Sequence, residues 1–327
     1  MKTLLTVLAM MTAGAAAVLS SRPQNPDPAG APETTTATPA PAPATPDLLG
    51  INNDANRMTV PVTIGASAAY HFIIDTGAER TVVSNELAGQ LNLAAGRRVH
   101  VTTMAGTSDL GTFRLPELRV GRVAPDMIEA PGVEARNLGA PGMLGLDALK
   151  GHSVSIDFDK DVMEVRPSLK RGKGIGPDDI VIRAKNIYGQ LIVTDAHYGR
   201  QRISVVLDTG SPVTIGNLAL LKKMRKPKSL GNISLQAVTG QWLTADYRIV
   251  DTISIGGIGF NNVPIAFADA LPFKRFGLSD TPALMLGMDS LKLFRKVQID
   301  FANREVRFTL PRSANASRRP SGMMFRP

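Results

Sequence analysis

Three sequence blocks occur twice in this chain, in the same order, and no other feature restricts its fold as strongly. The first copy reads His71-Phe-Ile-Ile-Asp75-Thr76-Gly77-Ala78, then Gly142-Met143-Leu144-Gly145-Leu146-Asp147-Ala148-Leu149-Lys150, then Val154-Ser-Ile-Asp157-Phe158. The second reads Val205-Val-Leu-Asp208-Thr209-Gly210-Ser211, then Leu284-Met285-Leu286-Gly287-Met288-Asp289-Ser290-Leu291-Lys292, then Val297-Gln-Ile-Asp300-Phe301. Repetition of blocks in order, with insertions only between them, identifies a duplicated domain. The 327 residues are enough for two domains, and 43% hydrophobic residues can supply their cores.

The local pattern is β. Short β-branched runs (Val60 to Ile64, Phe72 to Ile74, Ile203 to Leu207, Ile249 to Ile255) are punctuated by Gly, Pro and Asn. Val154–Phe158 with Met163–Val165, and Val297–Phe301 with Val306–Phe308, flank polar turns and predict hairpins. Short helices are expected at Thr81–Leu91, Ala148–Lys150 and Ser290–Phe294. The expectation is therefore an all-β fold of two small closed barrels related by a pseudo-twofold axis, spanning residues 48–166 and 178–310, with an exposed linker over residues 167–177.

Outside that unit, Met1-Lys2 followed by an apolar run from Leu4 to Leu19 and small residues reads as a signal peptide over residues 1–20. An uncleaved anchor is the alternative, although the run is shorter than the roughly 20 residues a span needs. No later segment is apolar enough to span. Export to the periplasm or the exterior is expected. Residues 21–47, dominated by Pro, Ala and Thr, read as an extended tether, and residues 311–327, with four Arg and no acid, as a basic tail.

Composition removes several chemistries. There is no Cys, and the four His are scattered, so neither thiol chemistry nor a metal site is expected, and no cofactor motif is present. Aromatic residues are 5% of the chain, too few for base-stacking surfaces, so no nucleic-acid partner is expected. The net charge of +9 falls in the second half and the tail, notably at Lys222-Lys223-Met224-Arg225-Lys226. Such clusters are ordinary solvated loops, and recruitment to an anionic membrane or polymer is a lesser reading.

Each copy contains an apolar strand ending in Asp-Thr-Gly. A strand delivers the carboxylate to its tip, Gly lets the backbone turn close by, and Thr offers a donor and an acceptor. One such turn is weak evidence; two at equivalent places in a duplicated domain can be brought together by a pseudo-twofold axis. Two carboxylates in contact cannot both ionise, so they share a proton, one acting as base and the other as acid. That arrangement can activate water against a peptide carbonyl without a metal.

On Ile74-Asp75-Thr76-Gly77-Ala78, Leu207-Asp208-Thr209-Gly210-Ser211, and the later Met143-Leu144-Gly145 and Met285-Leu286-Gly287, the chain resembles the aspartic proteases, specifically retropepsin-like domains in tandem. The resemblance covers roughly residues 50–310. It implies that Asp75 and Asp208 hold the lytic water, that Thr76 and Thr209 cross-brace the two loops, and that Gly77 and Gly210 lie next to the substrate. It implies that Leu144, Gly145, Leu286 and Gly287 thread beneath those loops as a ψ-shaped support. Flap hairpins are expected around Met104-Ala105-Gly106 and Val238-Thr239-Gly240, with Trp242 packed in the core or at the cleft wall. The implied partner is a peptide or protein substrate; because both Asp-Thr-Gly loops lie on one chain, a monomer suffices.

Two further expectations concern side chains near the loops. Ala78 follows the first Gly and Ser211 the second, and a Ser211 hydroxyl donating to the carboxylate would lower the pair's proton affinity. Asp147 and Asp289 follow the Leu-Gly pairs at a helix start, where N-capping accounts for them. The competing reading of the whole is a catalytically inactive, protease-like peptide-binding or scaffold protein of the cell envelope, which intact Asp-Thr-Gly turns argue against.

Overall fold

The computed structural model of the chain describes residues 4–6, 48–50, 57–125, 127–168, 176 and 179–311. The expected leader, tether, linker and tail lie almost wholly outside the described residues. Leu4–Thr6 is a strand, paired in parallel with Ala95–Thr102.

Strands dominate the described residues, and the six helices span four to six residues each. In the first half, Thr59–Ile64 buries Val60, Val62 and Ile64 and turns the residues between them outward, the period of two expected of a half-buried strand. It pairs antiparallel with Tyr70–Ile74, whose last three residues are all buried. Gly142–Leu144 lies parallel to that strand and antiparallel to Val82–Ser84. A strand hydrogen-bonded on both edges and covered on both faces carries no alternation, which is why its sequence is uniformly apolar.

The second half repeats this plan. Gln190–Tyr198 pairs antiparallel with Gln201–Leu207; Ala283–Leu286 runs parallel to the latter and antiparallel to Ile215–Gly216. Each half is thus a strand hairpin ending in Asp-Thr-Gly, with a later strand threaded beside it.

The halves are not joined only at their faces. His152–Asp157, near the end of the first half, pairs antiparallel with Lys296–Asp300 of the second, setting Val154 opposite Ile299 and Ile156 opposite Val297. With Leu48–Gly50 and Val162–Pro167 on one side and Glu305–Thr309 and Asp179–Ile187 on the other, this makes a continuous six-strand stretch of one sheet. One apolar core runs beneath it from both halves, and Phe294 and Phe308 stack within it at 4.3 Å. Among the described residues no helix is long and apolar enough to cross a membrane, and no group of three or more His, Asp or Glu side chains is placed to hold a metal ion.

Candidate active site

Asp75 and Asp208 each leave the tip of a buried strand, and the threaded strand fixes where each goes. The Asp75 amide donates to the Leu144 carbonyl at 3.0 Å, and the Asp208 amide to the Leu286 carbonyl at 3.1 Å. Immediately afterwards the threaded chain passes so close beneath the loop that a Cβ on Gly145 would strike the Arg80 backbone, and one on Gly287 the Val213 backbone. Only glycine fits at either place.

The two carboxyls meet at the centre. Both residues are fully buried. Asp75 Oδ1 accepts from the Gly77 amide at 2.7 Å; Asp208 Oδ1 accepts from the amides of Gly210 at 3.1 Å and Ser211 at 3.2 Å. The Asp75 carboxyl lies against Gly210, where a Cβ would collide with it. Among the described residues no amide or side-chain donor reaches Oδ2 of either group. Each carboxyl acts electrostatically on the other, and two buried carboxyls so close hold one shared proton more readily than two charges. Burial pushes the proton affinity of both well above the ordinary carboxylate range; the Asp208 charge raises Asp75 further, while the loop amides and Arg57 act in the opposite direction.

The threonines lock the two loops. The Thr76 amide donates to Thr209 Oγ1 at 3.0 Å and the Thr209 amide to Thr76 Oγ1 at 3.3 Å. In turn Thr76 Oγ1 donates to the Leu207 carbonyl at 3.1 Å, and Thr209 Oγ1 to the Ile74 carbonyl at 2.8 Å. These buried groups would be costly if left unpaired, so the bonds define the spacing of the strand tips. A second tie crosses the halves where Arg275 grips Glu79 and lies 4.4 Å from the centre of the Tyr188 ring.

Three side chains differ from expectation. The Ser211 hydroxyl donates to the Val213 carbonyl at 2.7 Å, so Asp208 receives the Ser211 amide rather than its hydroxyl. Asp147 and Asp289 are not N-caps: the cap positions are Gly145 and Gly287, without side-chain bonds. Each aspartate instead clamps the turn after its Asp-Thr-Gly loop. Asp147 Oδ1 accepts from the Thr81 amide and hydroxyl at 2.8 and 2.7 Å, and Asp289 holds Thr214 in the same way at 3.0 and 2.6 Å.

Hairpins form at both flap positions. Ala95–Thr102 and Thr107–Leu115 flank the turn holding Met104, Ala105 and Gly106; Lys228–Gln236 and Trp242–Ile255 flank that holding Val238, Thr239 and Gly240. Their tips cross. Met104, of the first half, is buried in a cluster of the second half with Ile192, Val206, Ile215 and Phe273. Val238, of the second, is buried with Ile73, Val82, Val101 and Leu138 of the first. Gln236 Nε2 reaches Asn137 Oδ1 at 3.3 Å, and Gln241 Nε2 reaches the Thr107 carbonyl of the other hairpin at 3.4 Å. Trp242 is not packed in the core; it opens the outgoing strand of the second hairpin with 58% of its surface exposed.

Sequence reasoning passed over Arg57 and Gln190, both buried and both one strand away from an aspartate. The signal was present: they are separated by 133 residues, the spacing of Thr76 and Thr209.

Comparison with known proteins agrees with this duplicated plan. Residues 60–151 match the family of gag-polyprotein aspartyl proteases, and residues 194–290 match a second family described as aspartyl protease. No curated protein matches the chain. A solved structure, the aspartic proteinase from Irpex lacteus, is similar at a TM-score of 0.49 and 14% identity, over 83% of this chain and 98% of that one.

Proposed function

Since the chain belongs to the aspartyl proteases, with two family domains in tandem, we propose that it is a single-chain aspartic endopeptidase that cleaves peptide bonds with the Asp75–Asp208 pair. The observation that carries the reading is the placement of two fully buried carboxyls at the junction of the halves, with the Asp75 carboxyl seated against Gly210 of the Asp208 loop. In the singly protonated pair, the ionised carboxylate takes a proton from a bound water as the water oxygen bonds to the peptide carbon. The protonated partner gives its proton to the carbonyl oxygen. Collapse of the tetrahedral diol breaks the C–N bond: the amine leaves with the pair's proton, while one diol hydroxyl gives its proton to the pair as the carboxylic acid forms, so the pair again holds one proton. This shared-proton scheme is the general one for paired aspartates. The fixed spacing supplied by Thr76 and Thr209 holds the pair ready for it.

The two hairpins act as flaps that part to admit an extended peptide and close to exclude water. The amino-terminal apolar run and the Pro-rich segment support export, and nothing in the chemistry asks for a second subunit. Asp75→Asn and Asp208→Asn test the reading. Each should fold cooperatively and lose cleavage of a mixed peptide library by at least about a thousandfold. Cleavage at the parent rate by either variant would remove the proposal.

A further inference from the structure

Arg57 stands across from Asp75. The antiparallel pairing that sets Val60 opposite Phe72 and Thr59 opposite Ile73 continues, two residues on, to Arg57 opposite Asp75. The Ile74 amide donates to the Met58 carbonyl at 3.1 Å, which confirms that the strands have not parted there. In the second half, Val193 faces Val205 and Ile192 faces Val206, and the same register leads to Gln190 opposite Asp208. The two positions are therefore equivalent, and the duplicated halves disagree at them. One holds a cation, the other a neutral amide.

Both side chains are held. Arg57 is 4% exposed, and its Nη1 donates to the Leu138 carbonyl at 2.6 Å; Gln190 is fully buried, and its Nε2 donates to the Gly77 carbonyl, within the Asp75 loop. Burying a guanidinium is expensive unless negative charge lies close by, and the negative charge here belongs to the carboxyl pair. Arg57 acts electrostatically on both carboxyls, and Asp75 and Asp208 both act on Arg57.

We infer that Arg57 is a positioning residue for the charge of the active site: its buried guanidinium favours the ionised form of the Asp75–Asp208 pair, and Gln190 is its uncharged counterpart in the other half. This rests on reading the pair as the acid and base of peptide hydrolysis. Burial brings Arg57 down to about 10, with the two carboxyls raising it, so it stays cationic at every acid and neutral pH. A permanent cation lowers the proton affinity of neighbouring carboxyls. The singly protonated state then forms and disappears at lower pH than it would without the cation.

The test is the pH profile of kcat/KM for the full chain on a cleavable peptide, in the parent protein, Arg57→Gln, which copies the other half, and Arg57→Lys, which keeps the charge. Arg57→Met, neutral and similar in length, is prepared alongside in case the amide variant does not fold. The neutral variants should move both limbs of the profile up by about one pH unit, and Arg57→Lys should leave them near the parent positions. A variant that loses rate with both limbs in place, or a lysine variant that shifts as far as the neutral ones, overturns the inference and leaves Arg57 as packing. Direct titration of the aspartate side-chain carbons by NMR, in parent and neutral variant, reads the same shift without turnover. If peptides are not cleaved but that titration still moves, the endopeptidase reading falls and the charge relationship stands; an unmoved titration removes the charge relationship whatever happens to cleavage.

Discussion

Thr76 and Thr209 each accept the other's amide while donating to the main chain of the opposite half, Thr76 to Leu207 and Thr209 to Ile74. Every one of these four bonds crosses between the duplicated halves, and all are buried. Thr→Val keeps the shape and removes the hydroxyl, leaving a buried carbonyl and a buried amide unanswered. Thr76→Val should therefore lower the unfolding free energy by about 2–4 kcal/mol, read from urea titration, with Thr76→Ser recovering most of it. Equal stability of the valine and serine variants would show that the hydroxyl bonds contribute nothing.

The pH dependence of stability follows from the carboxyl pair. Burial first, and for Asp75 the Asp208 charge second, raise both groups above 3.8. The folded chain then holds protons that the unfolded chain has released. Stability from this source is fully present below pH 3.8 and is lost as pH rises through the raised values. Asp75→Asn removes one of the two titrating groups, so the Tm difference between variant and parent should grow in the variant's favour from pH 4 to pH 8. A constant difference across that range would contradict the assigned direction.

Met104 and Val238 hold the crossed hairpins down. Met104→Ala should cost about 2–5 kcal/mol if its pocket stays formed, and less if the tip simply lifts. Lifting has its own signature: a statine-type inhibitor, which carries a hydroxyl in place of the attacked carbonyl, should associate faster with Met104→Ala than with the parent in stopped-flow mixing. Association at the parent rate would mean that the tips do not gate the pair.

Gly145 is fixed by the backbone of Arg80 above it. Main chain cannot rotate away as a side chain could, so Gly145→Ala must push the loop and the Asp75 tip apart. The expected result is a protein with a depressed Tm and with cleavage reduced more than tenfold, and Gly287→Ala should behave alike because Val213 occupies the same place. Parent-like behaviour of either variant would show that the threaded strand has room to spare.

Much of this was legible in the chain because it is written locally. The strand ends at Asp75 and Asp208, the glycines behind Leu144 and Leu286, and hairpin turns at Gly106 and Gly240 each have a signal within a few residues. The pairing of Val154 with Ile299 has none: the partners are far apart in sequence, and both strands look complete as members of their own hairpins. The crossing of Met104 and Val238 likewise depends on how the halves approach. Asp147 and Asp289 were misassigned by position, since a helix start two residues earlier leaves each acid free to reach back to a threonine. Ser211 has a nearer acceptor than the carboxylate, a competition that sequence alone does not rank. Arg57 and Gln190 fell outside the repeated motifs because only their spacing is repeated, not their identity.

The strands that interleave between the halves weld two copies of one ancestral design into a single body, and that has a bearing on how the copies can change. An assembly of identical subunits must accept every substitution on both sides of its axis at once. Here a guanidinium can face one aspartate while an amide faces the other, and serine can follow one loop while alanine follows the second. Covalent union frees each side to specialise, so departures from symmetry mark where evolution has worked on the left and right hands of the catalyst separately.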